Sequence, residues 1–373
     1  MRVYLDNAAT TPVAPEVVEA MMPYFTEHYG NPSSIHAHGR AARAALEKAR
    51  KTIAGLLHAA PAEIFFTSGG TETANLIIYQ AVHHLGVSRI ITSKMEHHCV
   101  LHTAESLFRR LKIDYVELDE HGNILYESLE QLLKNQHKTL VCLMHANNEI
   151  GTITNIARVG ELCKQHGALF FSDTVQTVAH YPIDLQAVHV HFISGSAHKF
   201  HGPKGVGFAY IRSDSMLRPL LHGGAQERNM RAGTENLPGI VGMEKAMSLA
   251  YARLEEDRRH ISGLKKYFLE KLRQHFPDIR VHGNEAENSL YTVLNIGFPR
   301  KQDSGMLVFN LDIHGVSASA GSACSSGSDV GSHVLAALGV TDRYEGVRFS
   351  FSRYNTTEEM DYTIEKLKEI IRP

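Results

Sequence analysis

The 373-residue chain lacks several things that would have settled its class at once. It has no uninterrupted apolar run near the roughly 20 residues of a membrane span. Polar residues arrive at Asp6, so the N-terminal stretch has no apolar core of the kind a secretory signal carries. Basic and acidic residues nearly cancel, with a formal net charge of -2, and no long basic block occurs. Neither nucleic acid nor an anionic membrane surface is expected as a partner. Cysteine is scarce: Cys99, Cys142, Cys163 and Cys324 stand far apart, and no CxxC pair exists. That argues against a zinc knuckle or a disulfide framework and predicts a reducing, cytoplasmic setting. The GxxxxGK[ST] phosphate loop is also missing, which disfavours nucleotide chemistry of that kind. The 24 histidines include the pairs His83–His84 and His97–His98, which on a helix point in different directions and do not make a metal site by frequency alone.

What is present is ordinary in amount and informative in order. Hydrophobic residues make up 43% and charged residues 21%, a normal globular balance, and the length predicts about two domains. Helical spacing covers 15–28, 39–57, 73–85, 100–110, 125–133 and 156–166. Short apolar runs at 63–67, 89–92, 112–117, 139–144, 168–172 and 188–193 read as strands. This alternation predicts a mostly parallel sheet with helices on both faces. Such sheets bind ligands outside the carboxyl ends of their strands. Polar clusters sit at five of those ends: Thr71, His97, Asn148, Asp173 with Gln176, and Ser196 to Lys199.

Two of these clusters carry specific chemistry. Ser68-Gly69-Gly70-Thr71-Glu72 joins a strand to a helix start, where backbone N–H groups and the helix dipole favour a phosphate; a plain capping turn is the alternative. Lys199 falls in a tight turn between two strands, among Ser194, Gly195, Ser196 and Ala197. A lysine held there can serve as an amine nucleophile, and an ordinary solvated lysine is the alternative.

Beyond a long helical stretch from 237 to 275, with a break expected near Gly263, strands near 279–282, 291–297, 316–319 and 346–351 and helices near 303–312, 330–338 and 357–371 predict an α+β unit. Residues 317–328 are nearly all small and surround Cys324, which predicts a mobile segment with an accessible thiol. Arg348, on an apolar strand, suits bidentate capture of a carboxylate, and a partly exposed strand position is the alternative.

Taken in order, the motifs resemble the pyridoxal-phosphate enzymes of the class V aminotransferase family and, within it, the cysteine desulfurases. The stretches that carry the resemblance are 4–12, 30–34, 67–72, 147–151, 196–199 with 202–205, 222–224, 231–236 and 321–324, which span nearly the whole chain. The resemblance implies an aspartate-aminotransferase-like fold. A large cofactor domain would span 14–255, and 1–13 plus 256–373 would form a smaller α+β domain carrying the cysteine segment.

It further implies that Lys199 holds pyridoxal 5'-phosphate as a Schiff base and that Asp173 pairs with the pyridine nitrogen. Gln176 would bond the phenolic oxygen, and His97 would stack on the ring with a share in proton transfer. Gly70, Thr71, Ser196 and His198 would hold the phosphate, with Thr234 reaching in from a neighbouring subunit of a homodimer. Asn148 and Arg348 would meet the substrate carboxylate. Cys324 would accept sulfur from L-cysteine and pass it to an iron–sulfur scaffold or a tRNA-thiolation partner. Ala197 and His201 stand where some members have Gly and Tyr, and neither change removes one of these groups. Selenocysteine lyase and aminotransferase chemistry of the same fold are the alternatives, the second having no need of Cys324. A non-catalytic Cys/His metal binder is disfavoured by the absent ligand spacing.

Overall fold

Four- and five-residue apolar runs build the centre of the molecule, because strands covered on both faces bury every side chain. The computed structural model describes residues 1–107, 111–135, 137–285, 288–300, 306–321 and 331–371. In chain order, β1 (Val3–Tyr4) leads to α1 (Pro15–Met21), α2 (Pro23–Thr26) and α3 (Ala37–Leu56). Then come β2 (Ile64–Thr67), α4 (Gly70–His83), β3 (Arg89–Thr92), α5 (His98–Ser106), β4 (Lys112–Tyr115), α6 (Tyr126–Leu133), β5 (Thr139–Cys142), α7 (Ile156–Gln165), β6 (Leu169–Asp173), β7 (Phe192–Ser196) and β8 (Gly207–Ile211). Strands β2 to β8 form one seven-stranded sheet in the order β2-β8-β7-β6-β5-β3-β4. Strands β4, β3, β5, β6 and β7 are mutually parallel, whereas β8 runs antiparallel to both β7 and β2. Six strands therefore point one way, and their carboxyl ends share one edge. The order reverses between β3 and β5, which opens a crevice there.

Alternation across the sheet separates two apolar layers. Phe66, Val141, Phe170, Ile193 and Phe208 face α3, α7 and α8 (Leu237–Ala252). Phe65, Leu140, Phe171, Phe192 and Ala209 face α4 and α5.

The rest of the chain forms a second group of elements. Helix α9 (Leu254–His275) leads to β9 (Arg280–His282) and β10 (Val293–Pro299). Helix α10 (Leu307–Ile313), β11 (Val316–Ser317), α11 (His333–Ala337), β12 (Tyr344–Ser350) and α12 (Thr357–Ile370) follow. Strands β12-β10-β9 make an antiparallel sheet, and β1 pairs in parallel with β11, so the N-terminus joins this later group. Leu5, Phe268, Ile296, Phe349, Phe351 and Ile364 fill its core. Helix α12 starts with a reciprocal capping box between Thr356 and Glu359.

Three details differ from the sequence reading. The first helix is split at Met22, because Pro23 opens a new helical turn. The apolar run at 188–193 pairs only from Phe192 onward, since Val188 and Val190 lead in from a turn. The long helix breaks at Arg253 (φ -108, ψ 9), and Gly263 lies inside α9 with open space beside it.

One buried ion pair ties the sheet edge to the 223–236 segment. Glu227 receives Arg50 Nη1 and Nη2 at 2.8 and 2.7 Å and the Phe66 amide at 2.7 Å. Around it Glu227, Arg228 and Asn229 adopt φ of 44, 55 and 64, a left-handed turn without glycine that costs about 1 kcal/mol or more per residue. The pair keeps that turn in place. Arg50→Met is expected to lower stability by about 3–5 kcal/mol, because it strands a buried carboxylate. The check is the shift in the urea unfolding midpoint, and Arg50→Met with Glu227→Leu should recover much of the loss.

Candidate active site

The carboxyl ends of β2, β3, β5, β6 and β7, together with β12 and the N-terminal segment, surround a cavity of about 200 Å³. Its walls include Gly70, Thr71, His97, Asn148, Asp173, Gln176, Ser196, His198, Lys199 and Arg348. Residues as far apart in the chain as Ala8 and Arg348 are thus brought to one place.

Lys199 ends a short 3₁₀ turn, Ala197–Lys199, between β7 and β8. Its Nζ donates to the carbonyls of Ala8 at 2.6 Å and Ala9 at 2.8 Å. Asp173, at the end of β6, is 9% exposed, and its Oδ1 accepts from Ser194 Oγ at 2.9 Å and the Val175 amide at 3.0 Å. Gln176 Nε2 donates to the Ala8 carbonyl at 3.1 Å.

His97 caps α5, its Nδ1 accepting the Cys99 amide at 3.1 Å, so the neutral ring carries its proton on Nε2. Burial lowers its pKa; Asp173 opposes this, and Lys199, His333 and His102 add to it. His198, whose Nδ1 lies 3.2 Å from Thr10 Oγ1, is brought down to about 4, first by burial and then by Lys199 and Lys204. Gly70 and Thr71 form the first turn of α4, where amide N–H groups have no partner within the helix. Gly69 before them has φ of 147, a conformation open to glycine.

Arg348 is a fully buried guanidinium. Its Nη2 meets Asp6 Oδ1 at 2.7 Å and its Nη1 the Asn148 carbonyl at 3.0 Å, while its Nε is buried without a hydrogen-bond partner among the described residues. An unsatisfied charged donor beside a cavity fits an anionic ligand.

Two expected residues are not part of this wall, Thr234 having been expected to serve a neighbouring subunit. Thr234 lines a separate cavity of about 100 Å³ with Ser68, Glu227 and Arg231. Cys324 lies outside the described residues. The sequence reading missed Ala8 and Ala9, whose contribution is backbone carbonyls and leaves no chemical trace in residue type. It also missed Cys99 as part of the cavity wall, and Glu96, a buried carboxyl under the same wall. Glu96 Oε1 accepts the Met144 amide at 2.9 Å; burial raises its pKa well above the usual range, and Asp173 adds to the rise. A glutamate followed by two histidines at a strand end was the available signal. Among the described residues no cluster could hold a metal ion, and no helix is long and apolar enough to cross a membrane.

The Aminotransferase class-V description matches residues 3–363. The chain belongs to that family. A cysteine desulfurase IscS of Dictyoglomus turgidum is 42% identical over 99% of this chain and 94% of its own length. Among solved structures, a NifS-like protein is 40% identical, covers 99% of both chains and superposes with a TM-score of 0.91. Another, described as SspA in complex with cysteine, is 32% identical over 95% of this chain and all of its own, with a TM-score of 0.81.

Class V aminotransferases and NifS-like proteins are pyridoxal-phosphate enzymes, and so is this chain. The donors present fit that cofactor. A helix start with Ser196 and His198 suits a phosphate, a buried carboxylate suits a protonated ring nitrogen, and an amine suits an aldehyde.

The buried histidines make stability depend on pH. His145, His191, His198 and His201 each have a pKa of about 4 in the folded chain, chiefly through burial, against about 6.5 when unfolded. The unfolded chain binds more protons between these values, so the stability these groups supply is fully present above about pH 6.5 and is lost as pH drops toward 4. Glu96, raised by burial, acts in the opposite sense, but the lowered histidines outnumber it. Urea midpoints taken from pH 7 to pH 4.5 should fall, and His145→Asn should flatten the decline.

Proposed function

We infer that this protein is a cysteine desulfurase, converting L-cysteine to L-alanine with sulfur left as a persulfide on Cys324. The observation that carries the reading is Arg348. It is a buried guanidinium whose Nε has no hydrogen-bond partner among the described residues, it lines the same cavity as Lys199, and it suits an amino-acid carboxylate beside an amine. The full-length relatives named cysteine desulfurase support the choice of amino acid.

Bound pyridoxal phosphate supplies the aldehyde that takes up the substrate amine and a ring that draws electrons from it. The chain does the rest. Arg348 and Asn148 would orient the substrate carboxylate. Gly70, Thr71, Ser196 and His198 would hold the cofactor phosphate, Gln176 would bond its phenolic oxygen, and Asp173 would keep the ring nitrogen protonated. Lys199 Nζ would hold the cofactor covalently and move the proton at Cα. His97, favoured neutral by burial, would sit beside the ring and exchange a proton through Nε2. The Cys324 thiolate then attacks the substrate sulfur. An S–S bond forms as the C–S bond breaks, and the electron pair of the broken bond goes to Cβ, which takes a proton to complete alanine.

The reading includes a homodimer in which Thr234 serves a neighbouring subunit's cofactor; that Thr234 lines a different cavity from Lys199 supports that role. It also includes two domains, 14–255 and 1–13 with 256–373, a cytoplasmic setting, and a protein acceptor for the persulfide such as an iron–sulfur scaffold or a tRNA-thiolation enzyme.

Purified protein given L-cysteine and a reductant should release alanine and sulfide in equal amounts; release of neither would sink the reading. Cys324→Ser should keep the visible absorbance of the bound cofactor and lose sulfide release, whereas Lys199→Ala should lose that absorbance. Arg348→Lys removes a bidentate charge-assisted contact and should cut kcat/KM for L-cysteine about 10- to 100-fold, as steady-state alanine assays would show.

A further inference from the structure

Another buried carboxyl, Glu149, has no part in the chemistry above. It is wholly buried in the turn that follows β5, directly after Asn148 of the cavity wall. Its backbone is locked: the amide donates to Asn147 Oδ1 at 2.8 Å, and the carbonyl accepts Asn295 Nδ2 at 3.1 Å. Its side chain points to the later part of the chain. Oε2 accepts the hydroxyl of Ser332, while Oε1 has no hydrogen-bond partner among the described residues and lies 3.9 Å from His333 Nδ1. A carboxyl removed from water and only half satisfied is costly, so its retention there calls for a reason.

Its contacts supply one. Ser332 caps α11, its Oγ accepting the Leu335 amide at 3.0 Å. Gly321 lies against the same group: a Cβ there would sit 3.1 Å from Ser332 Cβ and 3.3 Å from Glu149 Oε2. Gly321 and Ser332 flank the stretch that contains Cys324. Next to them, Ser319 exchanges backbone hydrogen bonds with Arg348 and donates its hydroxyl to Asp6 Oδ1 at 3.0 Å. On the other side, His333 Nε2 lies 2.9 Å from the Glu96 carbonyl, and its ring is 4.3 Å from that of His98.

We propose that Glu149 is a positioning residue for sulfur transfer, holding Gly321 and Ser332 together against the wall that carries Asn148 and Arg348. This rests on the reading of Cys324 as the sulfur acceptor. It assigns Glu149 no contact with substrate or cofactor. Its effect belongs to the step that uses Cys324, not to cofactor or substrate binding.

The test uses the full-length holoenzyme with Glu149→Ala, Glu149→Gln, Ser332→Ala and the double variant Glu149→Ala with Ser332→Ala. Glu149→Ala should lower kcat for alanine about ten-fold or more, with KM for L-cysteine and cofactor absorbance unchanged, whereas Glu149→Gln, whose amide oxygen can still accept the Ser332 hydroxyl, should keep most of it. Ser332→Ala should also lower kcat, and the double variant should be no worse than Ser332→Ala, which already loses this hydrogen bond together with the α11 cap. Unchanged kcat in Glu149→Ala, parallel loss of cofactor or rise in KM, or losses that multiply would each overturn the proposal. A readout independent of turnover is alkylation of Cys324 by iodoacetamide, followed by mass spectrometry. It should be faster in Glu149→Ala than in the parent, with Cys99 unaffected, and equal rates would refute the anchoring. A parent enzyme that yields no alanine would instead defeat the desulfurase reading, and the alkylation comparison would still decide the role of Glu149.

Discussion

Two cations sit in the wall of one cavity, and a single short stretch of backbone makes that tolerable. Asp6 neutralises Arg348, and the carbonyls of Ala8 and Ala9 accept the Lys199 ammonium. Without such acceptors a buried guanidinium would carry a desolvation cost of several kcal/mol, and the half-buried ammonium a smaller one. The same stretch is fixed at its other side: Asn7 Nδ2 donates to the Ser350 carbonyl at 2.9 Å, and β1 pairs with β11. The N-terminus therefore runs between the seven-stranded sheet and the later β strands. It closes the site and satisfies the charges of both.

Around that closure the strand order does the gathering. Six strands of the large sheet end on one edge, and the reversal between β3 and β5 leaves room for a ligand there. Each strand end contributes a different kind of group: amide donors after β2, an imidazole after β3, a carbonyl-bearing turn after β5, a carboxylate after β6 and an amine after β7. Burial then tunes them. Desolvation keeps His97 and His198 neutral near pH 7, so neither adds a positive charge to a wall that already holds two. It also favours the protonated form of Glu96, which spares Asp173 a second negative charge close by.

The buried glutamates show a further layer of organisation. Glu96 supports the Met144 amide behind the cavity, Glu149 joins the cavity wall to the flanks of the cysteine segment, and Glu227 clamps a left-handed turn to the edge strand β2. Each is a carboxyl in a place where a hydrophobic residue would pack at less desolvation cost. Each also connects segments more than 45 residues apart in the chain, which suggests that all three serve to set geometry.

Much of this was legible in the sequence, for physical reasons that can be named. Periodicity marked the strands and helices, since burial on one face or two leaves a pattern in residue type. Parallel topology then placed Thr71, His97, Asn148, Asp173 and Lys199 on one edge, and the order of motifs carried the family. Backbone roles were not legible: Ala8 and Ala9 act through carbonyl groups that every residue has. Nor were the partners of Arg348, Glu149 and Glu227, because a charged residue in a sequence does not say which distant group will share its burial. Helix breaks depended on local backbone geometry at Met22 and Arg253 and not on the glycine at 263. The sequence by itself determined the kinds of chemical group and the family they belong to. Only the tertiary structure decided which groups meet, because desolvation and hydrogen bonding act between residues that the chain keeps far apart.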